Sequence, residues 1–198
     1  MIRRQFLTAG AFGLVGGTFG GRQAFAAGSG AAGYPATVFA DIGGKSVRLS
    51  LTGSALRTKY LLRVYSVASY VQEGVSVRSA DSLAKIDAAK LLHLIFERDV
   101  DGATMAAAFR DSIGMSFPAP AFASELSQLE RHFLANPVKQ GDHIRLTHVP
   151  GTGLGVQVNQ KPTMLIRGVG FAQAAWGTYL GPNNLGVALK EGLSSRLR

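Results

Sequence analysis

Alternating hydrophobic and polar residues are the main pattern of the chain from about residue 36 onward. A period of two indicates β-strands, because successive side chains of a strand point to opposite faces. The longest stretch of this kind is residues 56–72, which contain no glycine or proline and are rich in Tyr, Val and Leu. The stretch predicts one long strand, bent near Ser66. Both of its faces are largely apolar, so we expect it to be covered on both sides.

Six shorter strands are predicted before and after this stretch. They comprise residues 37–42, 46–52, 90–98, 143–149, 156–159 and 162–167. Turn residues separate several of them, namely Gly43-Gly44, Gly141-Asp142 and the segment 150–153. Tight turns join antiparallel neighbours. The sheet is therefore expected to be mainly antiparallel.

A helical period of three to four replaces the period of two elsewhere. Asp101 suits a helix N-cap and predicts a helix at 102–113, and a second helix at 121–135 ends before Asn136-Pro137. Two short helices are predicted near the end of the chain, at 171–179 and 185–197. The helices are grouped and do not alternate one by one with strands, which indicates the α+β class and not a doubly wound sheet.

The first 26 residues have the features of an export signal. Arg3 and Arg4, followed by Gln5 and then Phe6 and Leu7, resemble the twin-arginine motif, although an ordinary secretory signal with two arginines is the alternative. The following apolar region is too short and too weak for a membrane span. A small-x-small site at 24–26 predicts cleavage before Ala27.

The expected organisation is thus a signal peptide at 1–26, a flexible spacer at 27–35 and one domain at 36–198. Export predicts a periplasmic location in a bacterium, with the twin-arginine export machinery as a partner. No stable membrane insertion is expected after cleavage.

Composition excludes several classes of site. The chain has no cysteine, so disulfides, thiolate metal sites and a cysteine nucleophile are all excluded. The formal net charge is +9, but the positive residues are dispersed and are not interleaved with aromatic residues. We therefore expect no nucleic-acid partner.

Three polar residues on the apolar stretch 56–72 are the candidate ligand-binding residues: Arg57, Arg63 and Tyr65. Their even spacing places all three on one face of a regular strand, among aliphatic side chains. Two cations and a phenol with aliphatic walls suit a small ligand that has an acidic head and an apolar body. The alternative is structural: the arginines reach solvent, or Arg57 pairs with a carboxylate such as Asp99.

Other motifs point to no chemistry. The glycine-rich segment 151–155 lies between two predicted strands and lacks a following Lys-Ser/Thr, so it is interpreted as a hairpin and not as a nucleotide loop. His143 and His148 are five residues apart on one strand and should point to opposite faces. No metal site, no cofactor and no catalytic residue is predicted.

Several segments together resemble the bacterial chalcone isomerase-like family, in their order and spacing over about 36–193. The matching segments are 51–60, 64–71, 96–100, 108–110, 141–142, 148–153, 158–159, 166–168, 180–181 and 189–190, together with Leu193. Gln160 and Trp176 depart from the family pattern. The resemblance implies a large antiparallel sheet covered on one side by a helical layer, called an open-faced β-sandwich, with a cleft between the long strand and the helices.

The resemblance also implies two different functions. Plant chalcone isomerases close a chalcone to a flavanone, whereas non-catalytic relatives bind fatty acids with an arginine and a tyrosine. Arg57 matches the arginine, and Tyr65 stands in place of a threonine. Polar residues of the isomerase site are replaced near Val100, Ala107 and Leu189. These matches favour a non-catalytic binder of a small amphipathic or fatty acid; the alternatives are an isomerase acting on a chalcone-like enone and a structural or partner-binding protein.

Overall fold

The described residues contain seven strands, which form one antiparallel sheet whose spatial order is the order of the chain. The computed structural model describes residues 33–197, so the predicted signal peptide, including Arg3, Arg4, Phe6 and Leu7, lies outside the described residues. The strands are β1 Thr37–Ile42, β2 Lys45–Lys59, β3 Leu62–Gln72, β4 Lys90–Phe96, β5 His143–Val149, β6 Gly153–Val158 and β7 Met164–Arg167. The turn between β5 and β6 confirms that the glycine-rich segment is a hairpin.

In the part of the chain that the structure describes, five helices pack mainly on one face of this sheet. They are α1 Ala80–Lys85, α2 Gly102–Gly114, α3 Ala123–Leu134, α4 Val169–Leu180 and α5 Val187–Leu193. Asp101 caps α2 as expected, since its carboxylate accepts a hydrogen bond from the backbone N–H of Thr104. The predicted α+β class and the one-sided helical layer are confirmed. Among the described residues, the helices are too short or too polar to cross a bilayer.

The prediction of a single strand at 56–72 is wrong, because the chain reverses direction near the middle of this stretch and forms two paired strands. β2 ends at Lys59, β3 begins at Leu62, and these two residues are paired. Tyr60 and Leu61 form the two-residue loop, with φ values of 50° and 64°. Loops of this kind normally contain Asn, Asp or Gly, which tolerate a positive φ. A Tyr-Leu loop has no such signal, so the pattern of residue types does not show the turn.

β2 is longer than the strand predicted at 46–52 because it continues through Gly53. The register with β3 shifts between Leu51 and Gly53, and Gly53 has a φ of 152°. A Cβ atom at Gly53 would lie 2.1 Å from the carbonyl oxygen of Gly192. Glycine therefore allows both the irregular backbone and the close packing of α5 on the strand.

The main core lies between the sheet and the helices, and a smaller apolar cluster lies on the opposite face of the sheet. Tyr34 contributes to the opposite face, although the sequence assigned it to the spacer. Its hydroxyl lies 2.9 Å from the Ser66 hydroxyl, and its ring packs edge-on against His93 at 5.6 Å. The ordered part of the domain thus includes residues just before position 36.

Candidate functional site

A cavity of about 560 Å³ lies between the β2–β3 hairpin and helix α2. This volume is within the range of about 300–1,000 Å³ that is typical of small-molecule sites. Its walls come mainly from β2, β3, the end of β4, α2 and the last turn of α4. The apolar part of the lining comprises Leu62, Val64, Leu94, Phe96, Val100, Met105, Ala108, Phe109, Met115 and Leu185, and the charged part includes Lys59 and Arg98 besides Arg57.

Arg57 and Tyr65 both line this cavity. They are directly paired across β2 and β3, so the hairpin brings together two residues that the sequence separates by a turn. Arg57 is half-buried, and its Nη1 donates a hydrogen bond to the carbonyl of Leu185 at 2.8 Å. This bond fixes one edge of the guanidinium and leaves the other nitrogens available for a ligand.

The alternative pairing of Arg57 with Asp99 is not formed. Within residues 33–197, the ion pairs do not include Arg57. The Asp99 carboxylate instead accepts a hydrogen bond from the backbone N–H of Gln140 at 2.8 Å. Arg57 is therefore a half-buried cation on the wall of the cavity, with a backbone carbonyl as its protein partner.

Tyr65 lies beside a second tyrosine, Tyr179 of α4, and their hydroxyl oxygens are 3.4 Å apart. Burial raises the pKa of Tyr65 and raises the pKa of Tyr179 well above its usual value; the positive charge of Arg57 opposes both shifts but does not reverse them. Both phenols are therefore neutral at physiological pH. A neutral hydroxyl can donate a hydrogen bond to an anion, whereas a phenolate cannot.

Arg63 does not line the cavity, and the prediction that it shares a face with Arg57 and Tyr65 is wrong. One step along β2, from Arg57 to Thr58, corresponds to two steps along β3, from Tyr65 to Arg63. Val64 is the extra residue of this bulge, and a bulge reverses the alternation of faces beyond it. Arg63 consequently pairs with Glu97, at 3.2 Å.

Tyr179 is the site residue that the sequence analysis missed. Helix α4 was predicted to end at this residue, and its apolar composition suits a core helix. The sequence does place a tyrosine in the last turn of this apolar helix, and a buried tyrosine needs a hydrogen-bond partner for its hydroxyl. That signal does not indicate which strand supplies the partner.

The remaining polar residues of the lining are Lys59, Arg98, Thr104, Ser112 and Thr178, together with three carboxylates. The chain has four histidines, and none lines the cavity that the described residues form. Asp99, Asp101 and Asp111 lie at its rim, and Asp101 is engaged as the cap of α2. Val100 lines the cavity as an apolar residue, where the isomerase pattern has a polar one nearby. The arrangement suits binding of an acidic head group more than proton transfer.

Three of the histidines make side-chain contacts elsewhere in the fold. Nε2 of His93 lies 2.8 Å from Nδ1 of His143, and Nε2 of His148 lies 2.7 Å from the Asp87 carboxylate. His143 and His148 lie on opposite faces of β5, as their spacing predicts. Within residues 33–197, three or more His, Asp or Glu side chains do not come together in a way that could hold a metal ion.

Comparison with known proteins relates this geometry to a family. A crystal structure of a fatty-acid binding protein from Arabidopsis thaliana matches with a TM-score of 0.65 and 17% sequence identity, over 81% of this chain and 90% of that chain. At this identity the match establishes the fold. No match was found among curated protein sequences. The family model described as chalcone isomerase-like matches residues 34–194. The chain therefore belongs to the chalcone isomerase-like family.

Proposed function

We propose that this protein is a non-catalytic binder of a fatty acid or a similar small amphipathic acid. The observation that supports the proposal most is the position of Arg57, Tyr65 and Tyr179 on the wall of a cavity of about 560 Å³ that also offers extensive apolar surface. The matching structure from Arabidopsis thaliana is, by its name, a fatty-acid binding protein. Family and fold are thus compatible with what the geometry favours.

The proposed ligand lies with its carboxylate at Arg57 and its alkyl chain along α2. Arg57 supplies charge and N–H donors, and the paired tyrosines supply a neutral hydroxyl donor. Met105 and Phe109 of α2 provide apolar surface for the chain. Each buried methylene contributes about 0.8 kcal/mol, so affinity is expected to increase with chain length until the cavity is filled.

The central test is the affinity for a fatty acid measured by titration calorimetry with wild type and Arg57→Ala. We expect the substitution to weaken binding by about 2 kcal/mol, or roughly 30-fold in Kd, because a half-buried carboxylate loses its cation. Arg57→Lys should restore only part of the affinity, because an ammonium cannot form two parallel hydrogen bonds. Arg63→Ala is the matched control, since Arg63 lies outside the cavity, and it should bind as wild type.

Two results would contradict the proposal. Wild type that binds no fatty acid excludes it directly. Arg57→Ala that melts at a much lower temperature yet binds as tightly as wild type would make Arg57 a structural residue. Native mass spectrometry of the purified protein adds an independent readout, because a retained acid appears as a mass increment.

The isomerase alternative makes a different prediction. A chalcone isomerase accelerates the loss of absorbance of a hydroxychalcone, and Arg57→Ala abolishes the acceleration. The proposal expects the spontaneous rate only, since the tyrosine and the asparagine of the plant isomerase pattern are replaced near Val100 and Ala107. Turnover well above the spontaneous rate would establish the enzyme instead.

The proposal includes export to the periplasm by the twin-arginine route. It is supported by Arg3, Arg4, Phe6 and Leu7 and by the small-x-small site at 24–26. A binder in that compartment would meet amphipathic acids released from membrane lipids.

A further inference from the structure

The tip of the β2–β3 hairpin exposes three large apolar side chains in succession. Tyr60 is 87% exposed, Leu61 is 99% exposed and Leu62 is 53% exposed. Isolated apolar residues on a surface are common, but a contiguous group at the end of a projecting element is typical of an interaction site. Residues 60–62 are called the hairpin tip below.

The backbone of the tip is also unfavourable for these residue types. Tyr60 and Leu61 both have positive φ values, of 50° and 64°. Two-residue loops with positive φ at both positions strongly prefer Asn-Gly, because bulky side chains collide with the backbone in this conformation. Neither the exposure nor the conformation stabilises the fold. A role in binding explains why large apolar residues occupy the loop.

Charge indicates what the tip binds. The hairpin that carries it contains Arg57, Lys59 and Arg63 close to the tip, and no Asp or Glu occurs anywhere in 43–72. The Lys59 ammonium lies 5.6 Å from the centre of the Tyr60 ring, so positive charge adjoins the apolar group directly. Asp99, Asp101 and Asp111 line the same cavity as Tyr60, but they lie in α2 and the segment before it and not on the hairpin.

A tyrosine and two leucines with flanking cations suit the interface of an anionic bilayer, where aromatic rings lie at the head groups and cations meet anionic lipids. A protein partner is less suitable, because a two-residue loop offers much less than the roughly 1,000 Å² that a stable protein interface buries. The chemistry of the tip therefore favours a lipid surface over a second protein.

We propose that the hairpin tip docks the protein on membranes that contain anionic lipid. Tyr60 and Leu62 also line the mouth of the cavity, so docking places this mouth against the bilayer. Docking itself is independent of the function proposed above. Only the further step, transfer of a fatty acid between bilayer and cavity, rests on that proposed function.

The direct test places a tryptophan at the tip of the full chain, as Tyr60→Trp. The natural protein has one tryptophan, Trp176, which is fully buried in the core. With vesicles of phosphatidylcholine and phosphatidylglycerol, we expect the emission of the new tryptophan to shift to the blue and to be quenched by brominated lipid chains. Trp176 of the wild type should show neither change. A tip tryptophan that remains solvent-exposed and unquenched would overturn the proposal.

A second test uses Tyr60→Asn/Leu61→Gly, which replaces the loop by residues that its conformation prefers. Sedimentation with the same vesicles should show at least tenfold weaker binding, while the melting temperature stays the same or increases. Phe39→Asn is the control, because Phe39 is 59% exposed on β1 but outside the hairpin tip. All variants keep residues 1–32, so any contribution of this segment is common to them.

Three outcomes of this second test would overturn the proposal. The first is equal vesicle binding by wild type and the loop variant, and the second is binding of wild type to purely zwitterionic vesicles that equals its binding to anionic ones. The third is a wild-type dimer that is lost in the loop variant, while neither protein binds vesicles. The last outcome would assign the tip to self-association. The two proposals remain separable, since fatty-acid binding without vesicle binding overturns only the docking, and vesicle binding without fatty-acid binding overturns only the proposed function.

Discussion

Lys90 is a charged residue without exposed surface. Its ammonium donates hydrogen bonds to the carbonyls of Leu83, at 2.9 Å, and Ala84, at 3.1 Å, and lies 4.8 Å from the centre of the Trp176 ring. The two carbonyls belong to the last turn of α1, where a cation is favourable. Burial nevertheless lowers the pKa of Lys90 to about 7, and the nearby Asp87 opposes this shift only in part.

The lowered pKa predicts that stability increases from pH 7 to pH 9. In this window the unfolded chain keeps a proton on Lys90 that the folded chain releases, so raising the pH favours folding, by up to about 1.4 kcal/mol per pH unit. Above pH 10 we expect stability to decrease as the pH rises, because the pKa values of the buried tyrosines are raised in the folded state and the unfolded chain loses their protons first. Urea unfolding of wild type and Lys90→Met at pH 7, 8 and 9 measures the effect. Lys90→Met should lack the increase, and parallel pH profiles would contradict the prediction.

At the scale of elements, the position of α2 determines the shape of the cavity, since Met105 and Phe109 project from it. α2 begins in close contact with the end of α3: a Cβ atom at Gly102 would lie 2.2 Å from the carbonyl oxygen of Phe133. At the other end of the same helix, a Cβ atom at Gly114 would meet no atom within 4 Å. One helix thus has a glycine required by packing and a glycine that packing does not require.

Gly102→Ala is expected to destabilise the protein by about 2 kcal/mol, because α2 must move away from α3 to accommodate the methyl group. The shift should also weaken fatty-acid binding. Gly114→Ala is the matched control and should be neutral or up to about 1 kcal/mol more stable, since alanine favours a helix. Chemical denaturation together with calorimetric titration measures both effects. Equal stability of the two variants would contradict the prediction and show that α2 can move away from α3 at little cost in free energy.

At the scale of the whole molecule, the export proposed above would link the predicted signal peptide to the domain. The twin-arginine route transports folded proteins, and a domain with one continuous main core and no disulfides can fold completely before transport. We expect N-terminal sequencing of exported protein to begin at Ala27. An Arg3→Lys/Arg4→Lys variant should remain inside the cell with its leader uncleaved, as detected by fractionation. Normal export of this variant would indicate the general secretory route.

Much of the architecture could be predicted because it depends on local patterns. The period of two located the strands, Asp101 marked the start of α2, and the grouping of helices indicated the α+β class. The Tyr60-Leu61 turn could not be predicted, since its residue types are those of a strand. The bulge at Val64 could not be predicted either, because it arises from how β3 pairs with β2.

The sequence by itself determined which side chains of each element are apolar, and hence which faces of the strands and helices are buried in the core. It also indicated Arg57 and Tyr65 as candidates, because polar groups on an apolar strand need partners. Only the tertiary structure decided that these two residues pair across a hairpin, that Arg63 turns away to Glu97, and that Tyr179 meets Tyr65 from 114 residues further along the chain. The physical reason is that the alternation of apolar and polar residues is a property of short stretches of chain. Strand register and helix docking depend instead on contacts between segments that are far apart in the sequence.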